Sequence, residues 1–307
     1  MRILVTGGAG FKGCLVTETL LDRGHAVTVL DTMEYGEGPA IALQRRGADI
    51  VRGSVTDAAL TAAQVRRHDA VIHLAGVVGF PLCDLDPARA EEVNVGGTRN
   101  VAAAIGPGQP FVYASTGSVY GRVDGICDEE HPPAPLTRYG RTKLAGERIA
   151  RDSGAAALRF ATVVGVSPCM RFDLLLNAFV YRAVRYGWLE LYQPHDLRSF
   201  IDVADAAAAY VFAVENHGRM AGEVYNVGNP GMNVTKLEAA RAVAAQFPMH
   251  IEIASDRPDP DQRNYHVEFA RISALGFVPE RTLASCIEQV GSVAALVDDA
   301  RTWRFVA

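Results

Sequence analysis

A short apolar segment followed by three glycines at intervals of three opens this chain. Residues 2–13 read RILVTGGAGFKG, and a helical pattern continues through Leu21. Gly7, Gly10 and Gly13 let the backbone turn tightly and approach a ligand closely, because glycine has no Cβ atom. The amide-rich start of the following helix attracts a negative charge such as a pyrophosphate. The segment therefore predicts a strand, a glycine turn and a helix that bind a dinucleotide.

A carboxylate at the end of the second apolar segment sharpens this prediction. Residues 25–31 read HAVTVLD, which predicts a second strand that ends at Asp31. An acidic residue at this distance from a glycine turn accepts hydrogen bonds from the adenosine ribose. Thr32 and Met33 follow without an arginine beside the carboxylate, so a 2′-phosphate would be repelled. The sequence therefore favours NAD over NADP.

A tyrosine and a lysine four residues apart form the second constraint. Residues 139–143 read YGRTK, and this spacing places Tyr139 and Lys143 on one face of a helix. A free phenol loses its proton near pH ~10, whereas an adjacent ammonium group favours the phenolate. Such a pair can accept a proton near neutral pH. The same spacing also occurs in solvent-facing helices, so its chemical meaning depends on the rest of the chain.

Composition limits the classes of partner. The 307 residues are 49% hydrophobic, enough for a large core and two lobes. The net charge of −5 provides no basic field for nucleic acid. Apolar stretches shorter than the ~18 residues of a membrane span, and a strand that starts directly after Met1, predict a cytoplasmic protein without a membrane partner. Five cysteines without a Cys-x-x-Cys pair predict reduced thiols, and the histidine spacing predicts no metal site.

Short apolar segments alternate with helical patterns through the first half of the chain. The predicted strands lie near 2–5, 26–30, 48–51, 69–73, 110–114 and 156–160. This alternation predicts an α/β fold with a Rossmann-like, doubly wound parallel sheet. Nucleotides bind such sheets at the carboxyl ends of the strands, which is where the glycine turn and Asp31 would lie.

The alternation weakens after Gly165, which predicts a second structural unit. We expect an NAD-binding domain of residues 1–165, to which 198–227 returns, and a smaller C-terminal substrate-binding lobe of 166–197 and 228–307. Residues 172–184 have the apolar pattern of a helix, and Thr235 with Glu238 has the spacing of a capping box at a helix start.

Together these motifs resemble the short-chain dehydrogenase/reductase superfamily, in its extended branch of NAD-dependent sugar-nucleotide epimerases and dehydratases. The resemblance covers nearly the whole chain. It is carried by residues 6–13 (TGGAGFKG), 73–76 (HLAG), 94–98 (NVGGT), 113–121 (YASTGSVYG), 139–143 (YGRTK), 198–203 (RSFIDV), 225–228 (YNVG) and 275–279 (LGFVP). It implies NAD as the cofactor and a nucleotide sugar as the substrate.

The resemblance implies cofactor contacts spread over the ends of the predicted strands. These residues are Gly7, Gly10, Phe11, Lys12, Gly13, Asp31, Ser54, Val55, Leu74, Ala75, Gly76, Asn94, Tyr139 and Lys143. Lys12 departs from the family pattern, which has an aliphatic residue at this point of the glycine turn. The departure leaves the prediction of cofactor binding unchanged.

The resemblance also implies that Thr116, Tyr139 and Lys143 are the catalytic residues. Thr116 would hydrogen-bond the sugar hydroxyl that is oxidised. Tyr139 would take the proton of that hydroxyl while a hydride leaves for the nicotinamide, and Lys143 would favour the phenolate and hold the nicotinamide ribose. A ketone and NADH result. In an epimerase the ketone turns over in the pocket and takes the hydride back on its other face.

The two residues after Thr116 indicate which reaction follows the oxidation of the sugar to a ketone. Family 4,6-dehydratases usually have an acidic pair there, whereas this chain has Gly117 and Ser118, which cannot serve as carboxylic acids. Epimerisation, expected at sugar carbon 4, is therefore the leading hypothesis. Cys83 lies on a segment that could reach the pocket as an alternative acid or as a buried spectator. A 4,6-dehydratase, a dehydrogenase or ketoreductase, and a non-catalytic dinucleotide sensor are the alternatives.

Several polar residues are candidates for contacts with the sugar nucleotide. Arg198 and Arg257 are placed like the family's diphosphate-binding arginines, although Arg257 equally fits a surface salt bridge. Asn177 is a polar residue on an apolar helix, where the family often uses an asparagine on the phosphate. Arg263 is a weaker candidate.

Two segments predict an assembly. Residues 86–104 and 137–152 have the pattern of amphipathic helices that flank the fifth strand. Relatives commonly pair these two helices across a two-fold axis. We therefore expect a homodimer.

Overall fold

A parallel sheet of seven strands forms the centre of the molecule. The computed structural model describes residues 1–123, 125–254, 264 and 266–297. Its strands are β1 (Arg2–Thr6), β2 (Ala26–Asp31), β3 (Asp49–Arg52), β4 (Ala70–His73), β5 (Phe111–Thr116), β6 (Ile126–Cys127), β7 (Ala156–Phe160), β8 (Thr162–Val164), β9 (Trp188–Tyr192), β10 (Leu197–Asp202), β11 (Val224–Val227), β12 (Asn233–Thr235), β13 (His250–Ala254) and β14 (His266–Val267). The order in the main sheet is β3-β2-β1-β4-β5-β7-β11, and every pair is parallel. The predicted α/β, doubly wound class is confirmed, with each predicted strand within two residues of its observed bounds.

Helices cover both faces of this sheet. They are α1 (Phe11–Asp22), α2 (Gly38–Arg45), α3 (Ala58–Val65), α4 (Phe80–Leu85), α5 (Pro87–Glu91), α6 (Thr98–Ala104), α7 (Arg138–Asp152), α8 (Leu175–Tyr186), α9 (Val203–Glu215), α10 (His217–Met220), α11 (Lys236–Gln246), α12 (Ala270–Ser273) and α13 (Leu283–Ala294). A π-helix, Glu92–Gly97, joins α5 to α6, and 3₁₀ turns lie at Gly117–Val119 and Pro230–Met232. In the described ranges, none of these helices has both the length and the apolar character needed to cross a membrane.

The strands are apolar along their whole length because each is buried on both faces. On β1, Ile3 and Val5 belong to the core under α1 and α9, whereas Leu4 belongs to the core under α6 and α7. Successive side chains of a strand point to opposite faces, so a strand between two helical layers needs apolar residues at every position. The nearly continuous apolar runs of the sequence follow from this arrangement.

A second group of elements packs beyond the edge of the main sheet. Helices α8, α11 and α13 pack on one another, and β9 pairs with β13. The helix expected at 172–184 is α8, which begins three residues later because Phe172 belongs to the preceding loop. The capping box is confirmed: the Glu238 N–H donates to Thr235 Oγ1 over 3.1 Å, and Glu238 Oε2 accepts from the Thr235 N–H over 2.7 Å.

We expected residues 198–227 to return to the main sheet, and one of their strands does. This strand is β11 at the sheet edge, whereas β10 pairs in parallel with β8 and antiparallel with β12. The reason is that β11 occupies the edge of β7, so β10 pairs with the continuation of that strand in β8. The remainder of the segment contributes α9, packed on α1, and β11. The division of the chain into two functional lobes stays a prediction.

Candidate active site

A cleft of about 580 Å³ opens at the carboxyl ends of the parallel strands. Its size is that of a pocket for a cofactor or drug-sized ligand. Most of the sequence-predicted site residues line it: Gly7, Gly10, Phe11, Lys12, Gly13, Asp31, Ser54, Val55, Leu74, Ala75, Gly76, Thr116 and Tyr139. The structure therefore brings together residues from the turns that follow β1, β2, β3, β4 and β5, with the start of α7.

The glycine turn has a shape that side chains would fill. Gly7 has a φ of +70°, and a Cβ atom there would lie 2.7 Å from the Ala75 nitrogen. A Cβ atom at Gly13 would lie 2.1 Å from the Gly7 carbonyl oxygen. Gly10 precedes α1 without a side-chain cap, and the first turn of α1 contains no acidic residue. Its amide groups therefore remain available to an anion, which fits the pyrophosphate of a dinucleotide.

Asp31 connects the glycine turn to the second strand. Its Oδ2 accepts a hydrogen bond from the Ala9 N–H over 3.0 Å, and its Oδ1 accepts from the Met33 N–H over 2.8 Å. Burial raises the pKa of the Asp31 carboxyl. Each carboxylate oxygen can accept more than one hydrogen bond, so the group can also accept from ribose hydroxyls. This geometry fits the adenosine end of NAD.

The predicted catalytic residues lie where β5 meets the start of α7. Thr116 is the last residue of β5, and its Oγ1 accepts from the Ser118 N–H over 3.2 Å. Thr137 caps α7 by accepting from the Gly140 N–H over 3.1 Å. A Cβ atom at Gly140 would lie 2.7 Å from the Ser118 carbonyl oxygen. Glycine at this position therefore lets α7 carry Tyr139 up to the turn that holds Thr116.

Lys143 lies one helical turn after Tyr139 and is buried below the cleft. Its Nζ lies 4.3 Å from the centroid of the Tyr113 ring. Burial lowers the pKa of Lys143 to about 7, and the nearby Lys12 ammonium lowers it too. A cation in this position favours the phenolate form of a neighbouring tyrosine. A nearby anion in turn favours the charged form of Lys143.

Two more cations lie at the same end of the cleft. Lys12 Nζ donates to the Tyr210 hydroxyl over 3.0 Å and lies 4.7 Å from the Phe160 ring centroid. Arg171, in the loop between β8 and α8, also lines the cleft and forms an ion pair with Asp173. Arg171 is not among the residues predicted from the sequence. The sequence signal for it is an arginine in the loop after β8, whose carboxyl end lies at this edge of the molecule.

Asn94 was expected to contact the cofactor, and the structure gives it a different place. It lies in the π-helix, is buried and does not line the cleft. Its Oδ1 accepts from the Val77 N–H over 2.7 Å, and its Nδ2 donates to the Val77 carbonyl and to Thr142 Oγ1. The side chain therefore holds the loop after β4, which lines the cleft, against α7.

Cys83 and Asn177 were expected near the substrate, and their contacts argue against it. Cys83 is fully buried, its Sγ donates to the Val77 carbonyl, and burial raises the pKa of its thiol to about 11. Asn177 is fully buried as well, and its amide bonds to both backbone groups of Gly165 and to the Arg171 carbonyl. Cys83 therefore has the surroundings of the buried spectator that the sequence allowed, and Asn177 satisfies the backbone of the loop that carries Arg171. Contact of either residue with the substrate stays a prediction.

Arg198 lies close to the catalytic end of the cleft. It is 4% exposed on β10 and lines a small pocket that it shares with Gly117, Phe160 and Thr162. Its Nη1 lies 3.9 Å from an Asp196 carboxylate oxygen. Arg257 and Arg263 lie outside the residues that the structure describes. In the described ranges, no three His, Cys, Asp or Glu side chains are grouped closely enough to hold a metal ion.

Comparison with models of known protein families identifies the family of this chain. The model of the NAD dependent epimerase/dehydratase family matches residues 3–228. The chain belongs to this family. Its NAD-binding segment, Tyr139 and Lys143 all lie within the matched range. Membership confirms the resemblance found in the sequence, and it makes NAD the cofactor of this enzyme.

Relatives of this epimerase/dehydratase include enzymes of both kinds. The dTDP-glucose 4,6-dehydratase of Streptomyces niveus is 31% identical over 92% of this chain and 90% of its own length. The UDP-glucose 4-epimerase of Azospirillum brasilense is 29% identical over 91% of this chain and 87% of its own length. The structure of Thermus thermophilus UDP-glucose 4-epimerase in complex with NAD is 26% identical, with a TM-score of 0.82 and complete coverage of both chains.

Proposed function

We propose that this protein is an NAD-dependent epimerase that inverts carbon 4 of a nucleotide sugar. The observation that carries the proposal is that Thr116 and Tyr139 line the same cleft as the glycine turn and Asp31, with Lys143 buried one helical turn after Tyr139. The likeness to UDP-glucose 4-epimerases in sequence and structure supports it. When bound, NAD accepts a hydride from the sugar, and NADH returns it to the ketone.

The residues of this chain handle the proton and the orientation of the sugar. Thr116 hydrogen-bonds the hydroxyl oxygen that becomes the ketone oxygen. Tyr139, as the phenolate, takes the hydroxyl proton and gives it back when the hydride returns. Lys143 favours the phenolate by its charge and reaches the nicotinamide ribose. The reaction has no net redox change because the same proton and hydride return to the sugar.

The residues after Thr116 favour epimerisation over dehydration. Gly117 and Ser118 provide no carboxylic acid to protonate a leaving hydroxyl. The acidic residues that line the cleft are Asp31, Glu34, Asp86 and Glu92. Of these, Asp31 bonds to the glycine turn and Glu34 pairs with Arg89, so both belong to the adenosine end. A 4,6-dehydratase stays the second candidate because relatives with that activity match most of the chain.

An isotope experiment separates these two candidates. The protein is incubated in D₂O with a panel of UDP-, dTDP-, GDP-, CDP- and ADP-sugars, and products are identified by NMR. Epimerisation by hydride return leaves the inverted carbon free of deuterium. Elimination next to a ketone removes a carbon-bound proton and gives a keto-deoxy sugar that contains solvent deuterium. Net formation of NADH with any of these nucleotide sugars would instead identify a dehydrogenase.

We infer that the substrate's diphosphate lies against Arg198. The side chain is almost fully buried beside Phe160 and Thr162, which also line the main cleft. A guanidinium group held in this way can bind two phosphate oxygens at fixed positions, which a lysine cannot do. Arg198→Lys should raise KM for the sugar nucleotide while kcat changes less. An unchanged KM would remove Arg198 from the substrate site.

We also propose a homodimer through α5, α6 and α7. Glu91 and Glu92 are exposed acidic residues on the segment 86–104. Arg141 and Arg148 are exposed basic residues on the segment 137–152. A two-fold axis between the segments could pair these opposite charges. Sedimentation at micromolar concentration should show a dimer, and Arg148→Glu should weaken it. A monomer at that concentration would contradict the proposal. The cytoplasmic location expected from the sequence stays a prediction.

A further inference from the structure

The side chain of Lys12 points from the glycine turn toward the catalytic end of the cleft. Lys12 follows Phe11 at the start of α1, and its Nζ lies 4.7 Å from the ring centroid of Phe160 at the end of β7. Phe160 is the register partner of Thr116 on β5, and all three residues line the cleft. The ammonium group of Lys12 therefore lies on the Thr116 side of the pyrophosphate-binding turn.

The described hydrogen-bond partner of this ammonium group is a neutral phenol. Tyr210, on α9, accepts from Lys12 Nζ over 3.0 Å, and its ring also lies near the ammonium group. Burial and the nearby Arg171 guanidinium lower the pKa of Lys12 to about 8. A buried cation with a neutral partner keeps a strong field at short range, because no carboxylate cancels it.

The position of the nicotinamide follows from the two ends of the cleft. Asp31 marks the adenosine end, and the glycine turn binds the pyrophosphate in the middle. The remaining part of NAD must extend toward Thr116 and Tyr139, where the sugar is oxidised. Lys12 lies between the turn and those residues, so its charge acts on the nicotinamide half.

We propose that Lys12 is a positioning cation that makes the bound cofactor a stronger hydride acceptor. The oxidised nicotinamide ring carries one positive charge and loses it when it takes a hydride. The sugar carbon gives up that hydride, the hydroxyl proton passes to Tyr139, and the ketone remains. A fixed cation close to the ring disfavours the charged, oxidised form relative to the neutral, reduced form. The proposal depends on NAD binding and not on which sugar is the substrate.

The test measures chemical reduction of bound NAD without any sugar. Holoenzyme in excess NAD is treated with sodium cyanoborohydride, and the rate of the absorbance rise at 340 nm is recorded. Lys12→Met should slow this reduction at least ~10-fold, because a ~10-fold change is about 1.4 kcal/mol and a unit charge contributes that much out to about 12 Å at an effective dielectric constant near 20. Lys12→Arg keeps the charge and should stay within about threefold of the wild type. Arg23→Met removes a surface cation beyond the other end of α1 and should leave the rate unchanged.

A pH series provides the second measurement. Raising the pH from 7 to 9.5 removes the proton of Lys12, so the wild-type rate should fall toward that of Lys12→Met. The groups that face Lys12 are Tyr210 on α9, Lys143 on α7 and Arg171 in the loop before α8. Lys143 titrates in every variant, so only the difference between wild type and Lys12→Arg reports Lys12.

The outcomes separate an electrostatic role from a structural one. Equal reduction rates in Lys12→Met and wild type at pH 7, with NAD saturating in both, would overturn the proposal. If Lys12→Met does not fold, the pH series of wild type and Lys12→Arg decides, and parallel profiles would overturn it. Neither result depends on epimerase activity, so the failure of this proposal is distinct from the failure of the proposed function.

Discussion

The adenosine end and the sugar end of the cleft are built in different ways. The adenosine end is built mainly from the backbone of the turn of Gly7 to Gly13 and from one buried carboxylate, that of Asp31, which accepts hydrogen bonds from two backbone amides. The sugar end consists of charged side chains that come from distant parts of the chain, namely Lys12, Lys143, Arg171 and Arg198. The adenosine end therefore recognises its ligand by shape, whereas the sugar end buries positively charged groups.

This difference shows which buried charged groups lower the stability of the folded protein. Burial lowers the pKa of both lysines, which means that the protein holds their charged forms at a cost. At the adenosine end, hydrogen bonds from backbone amides offset only part of the cost of burying the Asp31 carboxylate, so its pKa is still raised. Anionic groups of the cofactor and substrate, and a phenolate at Tyr139, would offset the cost at the sugar end. Perturbed groups of this kind cluster where chemistry occurs.

The largest expected effect comes from the one group that moves a proton. Tyr139→Phe deletes the phenolic oxygen alone, so turnover should fall by about 10²–10⁴-fold, as expected for loss of a general base. NAD content and the melting temperature should stay near wild-type values, because the adenosine end is untouched. Turnover is measured by NMR on the accepted sugar nucleotide. Retention of more than a tenth of the wild-type rate would assign the proton transfer to another group.

A smaller loss should follow at Thr116. Thr116→Val keeps the shape of the side chain but removes the hydrogen bond to the reacting oxygen, which should raise the barrier by about 2–4 kcal/mol. Thr116→Ser keeps a hydroxyl group and is the matched control. Kinetics of both variants on the same substrate provide the comparison. Similar rates in both would show that the hydroxyl group is dispensable.

The sequence predicted the adenosine end better than the sugar end because its signals are local. The glycine spacing and Asp31 at the end of β2 depend on residues within one or two elements, as does the capping box of Thr235 away from the cleft. The cationic cluster depends on folding: the partner of Lys12 is Tyr210, far along the chain on α9. No short motif contains that pair.

Asn177 and Cys83 show what the sequence leaves open at the sugar end. Asn177 was assigned to the substrate because a polar group on an apolar helix needs a partner, and Cys83 because its segment could reach the pocket. The partners are backbone groups of nearby loops, which the sequence does not show.

Asp31 provides a test of the adenosine end by itself. Asp31→Ala removes the charge that repels a 2′-phosphate, so the preference for NAD over NADP should narrow by about tenfold, an effect near 1.4 kcal/mol. Both dissociation constants are measured by calorimetry on protein freed of cofactor. Asp57→Ala, which removes the cap of α3 outside this site, is the control. Equal affinity for the two cofactors in the unmodified protein would contradict the role of Asp31.

The last expected effect is an acid sensitivity that arises beneath the sugar end. His73 is fully buried, with Nδ1 2.7 Å from Thr6 Oγ1 and Nε2 3.0 Å from Thr98 Oγ1. Burial, and then the Lys143 ammonium, lower the pKa of His73 to about 3. Between pH 6.5 and about 3 the unfolded chain therefore binds a proton that the folded chain does not. The free energy of unfolding should fall by about 1.4 kcal/mol for each pH unit below 6.5.

Asp31 gives the opposite sign, which allows the two ends to be told apart. Its raised pKa means that the folded chain binds a proton more readily than the unfolded chain, so this carboxyl stabilises the fold as the pH falls. Denaturant titrations at pH 7, 6 and 5 measure the slope. His73→Gln should be less stable at pH 7 but should lose less stability on acidification, because the titrating ring is gone. If both proteins show the same slope, His73 does not titrate on unfolding, and the acid sensitivity does not come from beneath the sugar end.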